Sequence, residues 1–338
     1  MPILHTPRLT LRVARAADAP TITGYRSDPE IGKFQDWDLP YDGERAAARL
    51  AAQADVDDVG EGRWTTFAIE LAGEVIGDVV ACVREGGGVA EIGFTLSPGH
   101  HGHGYATEAA GALADHLFEH HGVHRIEASL DPENVASMRV LEAIGMRDEG
   151  ITRRSYRVRG EWVDDLRLAM LDTDRAEWLT RPRTAPASLE LVEITPDVSY
   201  LWGRLRTHRS QERFVSPMAL SFRDALFPEV IEGAPVVPWM RGVLADGERV
   251  AFVMLAEVTD HHPEPYLWRL LVDRMHQRRG IGSSIVRHLA AQMLVAGHTT
   301  LLTSWGEGPG SPREFYLEEG FVPTGELDGD ETVGRLTL

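Results

Sequence analysis

Leu9, Leu11 and Val13 alternate with Thr10 and Arg12, a period of two that predicts a strand over residues 8–13. Helical spacing follows over 18–27 and 43–58, with Asp18 placed to cap the first helix. Strand-like runs come next at 63–70, 74–83 and 89–96; the last two flank Arg84-Glu85-Gly86-Gly87-Gly88, a hairpin turn. A helix is expected over 102–121, a strand over 125–130 and a helix over 134–144. Two strands, 146–154 and 161–171, then close the half around Arg159-Gly160.

Past residue 172 the periodicity lapses through Arg-Pro-Arg-Thr-Ala-Pro, and then the same order of elements returns. It runs as a strand at 189–194, helices at 196–208 and 217–227, and strands at 236–244, 249–259 and 265–272. A helix at 280–296, a strand at 299–304, a helix at 311–319 and terminal strands complete it. Self-similarity at half the chain length marks the duplication of a whole domain. The expected organisation is one domain over 1–172, a linker at 173–188 and a second domain over 189–338. Each is expected to be α+β, a mixed, mostly antiparallel twisted sheet flanked by helices.

Composition changes this picture little. A chain of 338 residues suits two domains of ~150 residues each. The net charge of −18 argues against a nucleic-acid or anionic-membrane partner, which would need clustered Lys and Arg. It suits a cationic small substrate, and it also suits solubility, which carries more weight. Cys82, the single cysteine, lies in the apolar run VIGDVVACV and reads as a buried structural thiol in a reducing compartment. No apolar stretch approaches ~20 residues and the N-terminus has no leader-like core, so a cytoplasmic protein without a membrane partner is expected.

In both halves an apolar strand ends in a glycine-rich turn that opens an amphipathic helix. The first reads EIGFTLSPGHHGHGYATEAA (91–110) and the second WRLLVDRMHQRRGIGSSIVRHLAA (268–291). The first glycine of each Gly-x-Gly, Gly102 and Gly280, lies equally far beyond Phe94 and Val272. A helix N-terminus offers unpaired N–H groups and a partial positive charge, an anion site that glycine lets a phosphate approach closely. One such turn is only a tight strand-to-helix connection. Two at matching places in duplicated units point to a pair of pyrophosphate cradles.

Gln277-Arg278-Arg279-Gly280-Ile281-Gly282 resembles the Gln/Arg-x-x-Gly-x-Gly/Ala signature of the Gcn5-related N-acetyltransferase (GNAT) superfamily. The first half departs from it, with Gly99 at the first position, but keeps Gly102, Gly104 and Ala106. Its segments TPRLTLR (6–12), EIGFTL (91–96), GHGYATEA (102–109) and NVASMRVLEAIGM (134–146) resemble the RimJ/RimL-type acetyltransferases. The second half, through RFVSP (213–217), LWRLLVD (267–273) and GPGSPREFYLEEGFVPTGE (308–326), resembles the spermine/spermidine (diamine) type.

The resemblance implies acetyl-CoA as cofactor, up to two per chain, with the loop amides on its pyrophosphate. In the first unit it implies contacts from Phe94, Leu96, His101, Gly102, His103, Gly104, Tyr105 and Ala106. Asn134 would then meet the pantetheine arm and Ser137 the thiol, although both residue types also favour helix caps. In the second unit it implies Val272, Gln277, Arg278, Arg279, Gly280, Ile281, Gly282 and Ser283. Tyr316 matches the tyrosine of that group's Phe-Tyr-x-x-x-Gly-Phe helix and would be the general acid; its other reading is a core aromatic with the hydroxyl at the edge. Aligned with the first half it falls on Leu141.

Acyl transfer from a thioester to an amine requires an amine freed of its proton, from a pKa near ~10. It also requires a donor for the tetrahedral oxyanion, expected at backbone N–H groups near Phe94 and Val272. Glu91 is the candidate base of the first unit, through water. Asp273, Glu257 or a water chain are open for the second. Glu91 aligns with Arg269, so the halves would not share a base.

His116 and His120, at i,i+4 among His100, His101, His103, His121 and His124, have the spacing of metal ligands on one helix face. No cysteine or arranged carboxylate completes a zinc set, so no metal is expected. The expected function is acetyl transfer to a primary amine of a small cationic molecule (polyamine or antibiotic-like) or a peptide N-terminus, by a monomer or homodimer. The alternative is one catalytic unit beside a non-catalytic CoA-binding structural or sensing unit, for which the first half is the candidate. Loss of both sites is opposed by two intact loops.

Overall fold

The alternation around Leu11 becomes part of an eight-stranded sheet in the first of two units, Met1–Leu179 and Thr180–Leu338. The computed structural model describes residues 3–231 and 233–338. Unit 1 runs β1 (Ile3–His5), β2 (Leu9–Val13), α1 (Ala19–Arg26), α2 (Pro29–Gly32) and α3 (Gly43–Ala51). It continues with β3 (Thr65–Leu71), β4 (Glu74–Val83), β5 (Val89–Leu96), α4 (Tyr105–His120) and β6 (Arg125–Leu130). Then come α5 (Val135–Ala143), β7 (Arg147–Val158), β8 (Glu161–Leu171) and α6 (Asp172–Thr180).

The strand order is β1-β2-β3-β4-β5-β6-β8-β7, antiparallel throughout except for β5 beside β6. Alternate residues of a strand face opposite sides. Phe67 and Ile69 of β3 pack with Leu113 and Leu117 of α4, whereas Ala68 between them packs with Ile22 of α1 and Leu50 of α3. Helices therefore cover both faces.

Helix α3 stops at Ala51, short of the expected residue 58, because the chain turns to bury Gln53. The Gln53 amide donates to the carbonyls of Ala14 (2.8 Å) and Thr66 (2.9 Å) and accepts from Thr66 N (3.1 Å). The side chain thereby adds to the direct bond from Ala14 N to Thr66 O (2.8 Å) between the same two backbone segments. Asp18 stands at the N-cap of α1 but makes no cap there; its carboxylate takes Arg12 and the Arg15 amide instead.

The stretch 173–188 is helical over its first half, and α6 is held by unit 1. Arg175 pairs with Asp115 (2.7 Å) and donates to Ile144 O (2.7 Å), and Trp178 Nε1 donates to Ala143 O (2.9 Å). Two long anchoring side chains keep a segment of weak periodicity on unit 1, which ends at Leu179.

Unit 2 runs β9 (Leu189–Val192), α7 (Ser199–Trp202), α8 (Met218–Leu226), β10 (Val230–Ile231), β11 (Ala234–Pro235), β12 (Pro238–Ala245) and β13 (Glu248–Ala256). It ends with β14 (Tyr266–Val272), α9 (Ile281–Val295), β15 (Thr300–Trp305), α10 (Arg313–Glu318), β16 (Val322–Asp328) and β17 (Glu331–Thr337). Its main sheet is ordered β16-β17-β15-β14-β13-β12-β9, with β14 and β15 the parallel neighbours. Ala251, Val253 and Leu255 face Ile281, Ile285 and Leu289 of α9, while Phe252 and Met254 face Trp202 and Met218. The helix expected over 196–208 is the single turn α7, ended so that Trp202 inserts against β12 at Gly242. Among the described residues no helix is long and apolar enough to cross a membrane.

Two indoles depend on glycine. A Cβ on Gly242 would overlap Trp202, and one on Gly334 would overlap Trp305, which is 1% exposed. Gly242→Ala and Gly334→Ala should each destabilise unit 2 by about 1–3 kcal/mol, since a rigid ring in a filled core has little room to yield. Urea unfolding followed by tryptophan fluorescence should show an earlier transition in both.

Candidate active site

The parallel pair of each sheet is short. β5 and β6 are in register only at Val89↔Arg125, Ala90↔Ile126 and Glu91↔Glu127. β14 and β15 are in register only at Tyr266↔Leu302 and Leu267↔Thr303. Beyond these rungs, residues 92–96 of β5 stay paired with β4, and residues 269–272 of β14 with β13, so a wedge opens on the other side.

Each free strand end enters a short 3-10 turn, Pro98–His100 or Arg274–His276, and then two left-handed positions. These are Gly102 (φ 79°) and Gly104 (φ 78°) in unit 1, and Arg278 (φ 62°) and Gly280 (φ 74°) in unit 2. Gly104 and Gly280 are the N-caps of α4 and α9. The two loops therefore correspond two residues away from the frame expected on the first glycines. Gly104 matches Gly280, Leu96 matches Val272, and His101, not Gly99, stands where Gln277 stands. Both side chains make the same tether: His101 Nε2 lies 2.8 Å from Leu96 O, and Gln277 Nε2 donates to Val272 O at 3.1 Å. A carbonyl can only accept, so His101 Nε2 carries the proton. In this frame Glu91 matches Leu267, and Arg269 matches Gly93. Tyr316 and Leu141 share one place, each accepting at its carbonyl from the residue five along, Phe321 N (3.0 Å) and Met146 N (3.1 Å).

In unit 1 the turn between β1 and β2 clamps the loop. Arg8 donates to Glu108 Oε2 (2.6 Å) and His103 O (2.8 Å), lies over the Tyr105 ring (4.6 Å), and Thr6 Oγ1 donates to Glu108. Glu108, in the first turn of α4, complements the helix dipole. A groove of about 540 Å3 runs along the end of β5, the loop and the starts of α4 and α5. Phe94, Leu96, His101, Gly102, Gly104, Tyr105, Ala106, Asn134 and Ser137 all line it. His103 is not among its lining residues. Asn134 caps α5, its Oδ1 accepting from Ser137 N (3.1 Å), which leaves Nδ2 to donate elsewhere.

The wedge holds a second cavity of about 140 Å3, between Ile92, Gly93 and Phe94 on one side and Ala128, Ser129 and Leu130 on the other. Phe34, Gln35, Phe94, Asn134 and Ser137 line both cavities. Asp36, Asp131, Asp164 and Asp165 also line the second one, with no Arg or Lys. Asp165 is 2% exposed, and burial raises its carboxyl above the usual range against the opposing pull of Arg167. Tyr156 OH donates to Asp36 Oδ2 at 2.8 Å. Glu91 does not line either cavity; it sits on the last paired rung, 3.9 Å from Arg84, and burial raises its carboxyl too, against the pull of Arg84 and Arg167. Asp36, Tyr156 and Asp165 were missed in the sequence. The one available signal was the doubled aspartate Asp164-Asp165 inside a strand.

In unit 2, Arg279 is turned inward, donating to Thr184 O (2.8 Å) and lying 2.9 Å from His276 Nδ1. Ile281 is buried in the core, so for both residues only the backbone remains for a ligand. Gly282 passes under Phe315, which a Cβ would approach to 3.1 Å. Ser283 is half-buried in the first turn of α9. Tyr316 stacks on Trp305 and is 7% exposed. Burial pushes its phenol up to about 12, with a hydrogen bond to Thr303 acting the other way. Thr303 belongs to the last β14–β15 rung, so this hydroxyl lies where the wedge begins. Asp273 accepts from Met275 N and Arg206 N, both at 3.0 Å, which engages both its oxygens as caps. Glu257 lines a separate groove of about 1090 Å3 with Trp239, His288 and His298.

Residues 8–147 match an acetyltransferase (GNAT) domain model, and residues 202–317 match the acetyltransferase (GNAT) family model. An uncharacterized N-acetyltransferase of Bacillus licheniformis is 31% identical over 177 residues, covering 52% of this chain and 99% of that protein. The uncharacterized N-acetyltransferase YnaD of Bacillus subtilis is 32% identical over 173 residues, covering 51% of this chain and 98% of that protein. Among solved structures, RimJ of Mycobacterium smegmatis in complex with CoA-disulfide is 30% identical, covering 49% of this chain and 83% of that one, with a TM-score of 0.43. The chain belongs to the GNAT acetyltransferase family and carries two such domains in tandem.

Proposed function

We propose that the chain transfers the acetyl group of acetyl-CoA to the primary amine of a cationic small molecule or peptide N-terminus, with unit 1 as an acceptor-binding catalytic unit. The observation that carries this reading is the meeting of two cavities at Phe94, Asn134 and Ser137. One runs to the glycine loop, and the other is walled by four aspartates. A cofactor laid along the first would bring its thioester to the mouth of the second. An ammonium group is the natural occupant of a pocket walled by four aspartates, of which, among the described residues, only Asp165 is paired with an arginine outside the lining, Arg167 at 2.7 Å.

In this reading the amides of the Gly102–Ala106 and Arg278–Ser283 segments hold the pyrophosphates, and Asn134 Nδ2 donates to the pantetheine arm. Asp165 accepts the ammonium proton, and Glu91, on the last β5–β6 rung, is a second carboxylate close enough to interact with it. The freed amine attacks the thioester carbon while unpaired N–H groups on the wedge side of β5 receive the oxyanion. The C–S bond then breaks and the thiolate takes a proton, with Ser137 as its neighbour in unit 1. In unit 2 that donor is Tyr316, whose raised phenol stays protonated at neutral pH. A second reading, unit 2 as a non-catalytic CoA holder, is favoured by the burial of the same Tyr316 ring.

Asp165→Asn should lower kcat/KM for a cationic amine about a hundredfold, with acetyl-CoA affinity unchanged, and Glu91→Gln should lower it less. Free-thiol release across a library of polyamines, aminoglycosides and short peptides provides the assay. A base must be deprotonated to act, so the wild-type rate should rise with pH through the raised carboxylate range. That limb should flatten in Asp165→Asn. Wild-type rates in both variants would remove the carboxylate assignment.

Calorimetry should count two acetyl-CoA molecules per chain and one each in Gly104→Val and Gly280→Val, where a β-branched residue is forced into a left-handed conformation. In a Gly104→Val background, Tyr316→Phe should reduce the remaining turnover at least tenfold if unit 2 is catalytic. No remaining turnover before that substitution would favour the CoA-holder reading.

A further inference from the structure

Asp58, His116 and His121 bring a carboxylate and two imidazoles together at the end of α4 opposite the glycine loop. His116 Nε2 lies 2.9 and 3.0 Å from the two oxygens of Asp58. His121 Nε2 lies 3.2 Å from Asp58 Oδ1, and the two Nε2 atoms are 3.3 Å apart. Neither acetyl-transfer cavity includes any of the three.

We propose that this cluster binds one zinc ion through His116 Nε2, His121 Nε2 and Asp58, with water as the fourth ligand. Tetrahedral zinc with bonds of about 2.0–2.1 Å requires donor atoms about 3.3–3.4 Å apart. The three edges here are 3.3, 3.2 and 2.9 Å, so only one must open by a few tenths of an ångström. Imidazole nitrogen with carboxylate oxygen is a donor set that suits zinc.

The surroundings favour a cation. Two ring nitrogens converge on one carboxylate oxygen, and a metal ion satisfies all three lone pairs at once. The side chains of His116 and His121 are 6% and 15% exposed and that of Asp58 is 33%, which leaves one wet side for the water ligand. His121 is the C-cap of α4, where the helix dipole is negative and stabilises positive charge. His120 stacks on His116 with centroids 4.8 Å apart and so fixes that ring's plane. The sequence points to no metal and offers only the i,i+4 spacing of His116 with His120, which is not the pair used here. His120 supports the ring, while the second and third ligands come from beyond the helix end and from the segment before β3. A bound ion would clip that segment to the helix whose other end forms the anion cradle.

The test uses the full chain, expressed without a histidine tag, stripped with chelator and titrated with Zn2+ by calorimetry and thermal unfolding. One equivalent should bind, and the unfolding midpoint should rise. Asp58→Asn and His121→Ala should each weaken binding at least tenfold and abolish the rise, whereas His298→Ala should keep both. Both substituted side chains are partly exposed, and circular dichroism of the metal-free variants checks that they fold. Wild-type protein that takes up no zinc, or zinc uptake that survives both substitutions, overturns the site and leaves a hydrogen-bonded His–Asp–His cluster.

Discussion

A parallel strand pair that parts after two or three rungs leaves backbone N–H and C=O groups on its inner edges without ladder partners. Such groups must find water or a ligand. In both units this parting sets the position of everything else. The strand that leaves the pair, β5 or β14, runs straight into the left-handed turn that starts the long helix, so wedge, loop and helix N-terminus are one rigid path. The His101 and Gln277 tethers hold the loop to the last strand carbonyl and fix where the helix amides point. A thioester placed on this path lies against unpaired backbone at one end and helix amides at the other, and the alignment comes from the fold rather than from any single side chain.

A second constraint places the acidic cavity of unit 1. Asp78, fully buried on β4 opposite Thr95, pairs with Arg26 and accepts from Tyr25, both on α1. Arg26 lies over Trp37 at 4.7 Å, and Trp37 Nε1 donates to Arg26 O at 3.1 Å. The segment carrying Phe34, Gln35 and Asp36 is thereby held over the wedge. A buried pair of this kind is weak evidence of net stability, because removing its charges together can be neutral. Its effect here is positional, since it joins the sheet to a wall of the pocket that comes from a connecting segment.

Strand and helix order was legible because alternation and helical period are local, and β4, β5, β6 and β8 fall within the residues expected for them. Helix ends were less legible. α3 is cut short by Gln53, whose partners Ala14 and Thr66 are distant or lie on another strand. The glycine loops were legible as loops, but their mutual frame was not. Residue identity suggested matching first glycines, whereas the chain matches left-handed positions, one of which is filled by Arg278 at a modest conformational cost. Asp36 and Asp58 gave no usable signal and Asp165 only its doubling with Asp164, since each gains its meaning from partners that the fold brings from far along the chain.

The two units share a cradle and differ in what surrounds it. In unit 1 the place of Tyr316 is taken by Leu141, which lines the acidic cavity, and the titratable groups there are four carboxylates and the Tyr156 phenol. In unit 2 the phenol occupies the apex, Asp273 is engaged by two backbone amides, and the Arg279 guanidinium is turned into the interior. His101 makes the Gln277 tether, so the missing glutamine no longer marks unit 1 as the divergent copy. The burden of explanation moves to unit 2, where Phe315 lies close over Gly282 and the candidate acid is packed among Trp305, Phe315 and Phe321. A duplicated scaffold can keep its cofactor geometry under one constraint, the parted strands, while the side chains beside them are free to change the chemistry. The acidic wedge of unit 1 and the aromatic apex of unit 2 are the two outcomes seen in this chain.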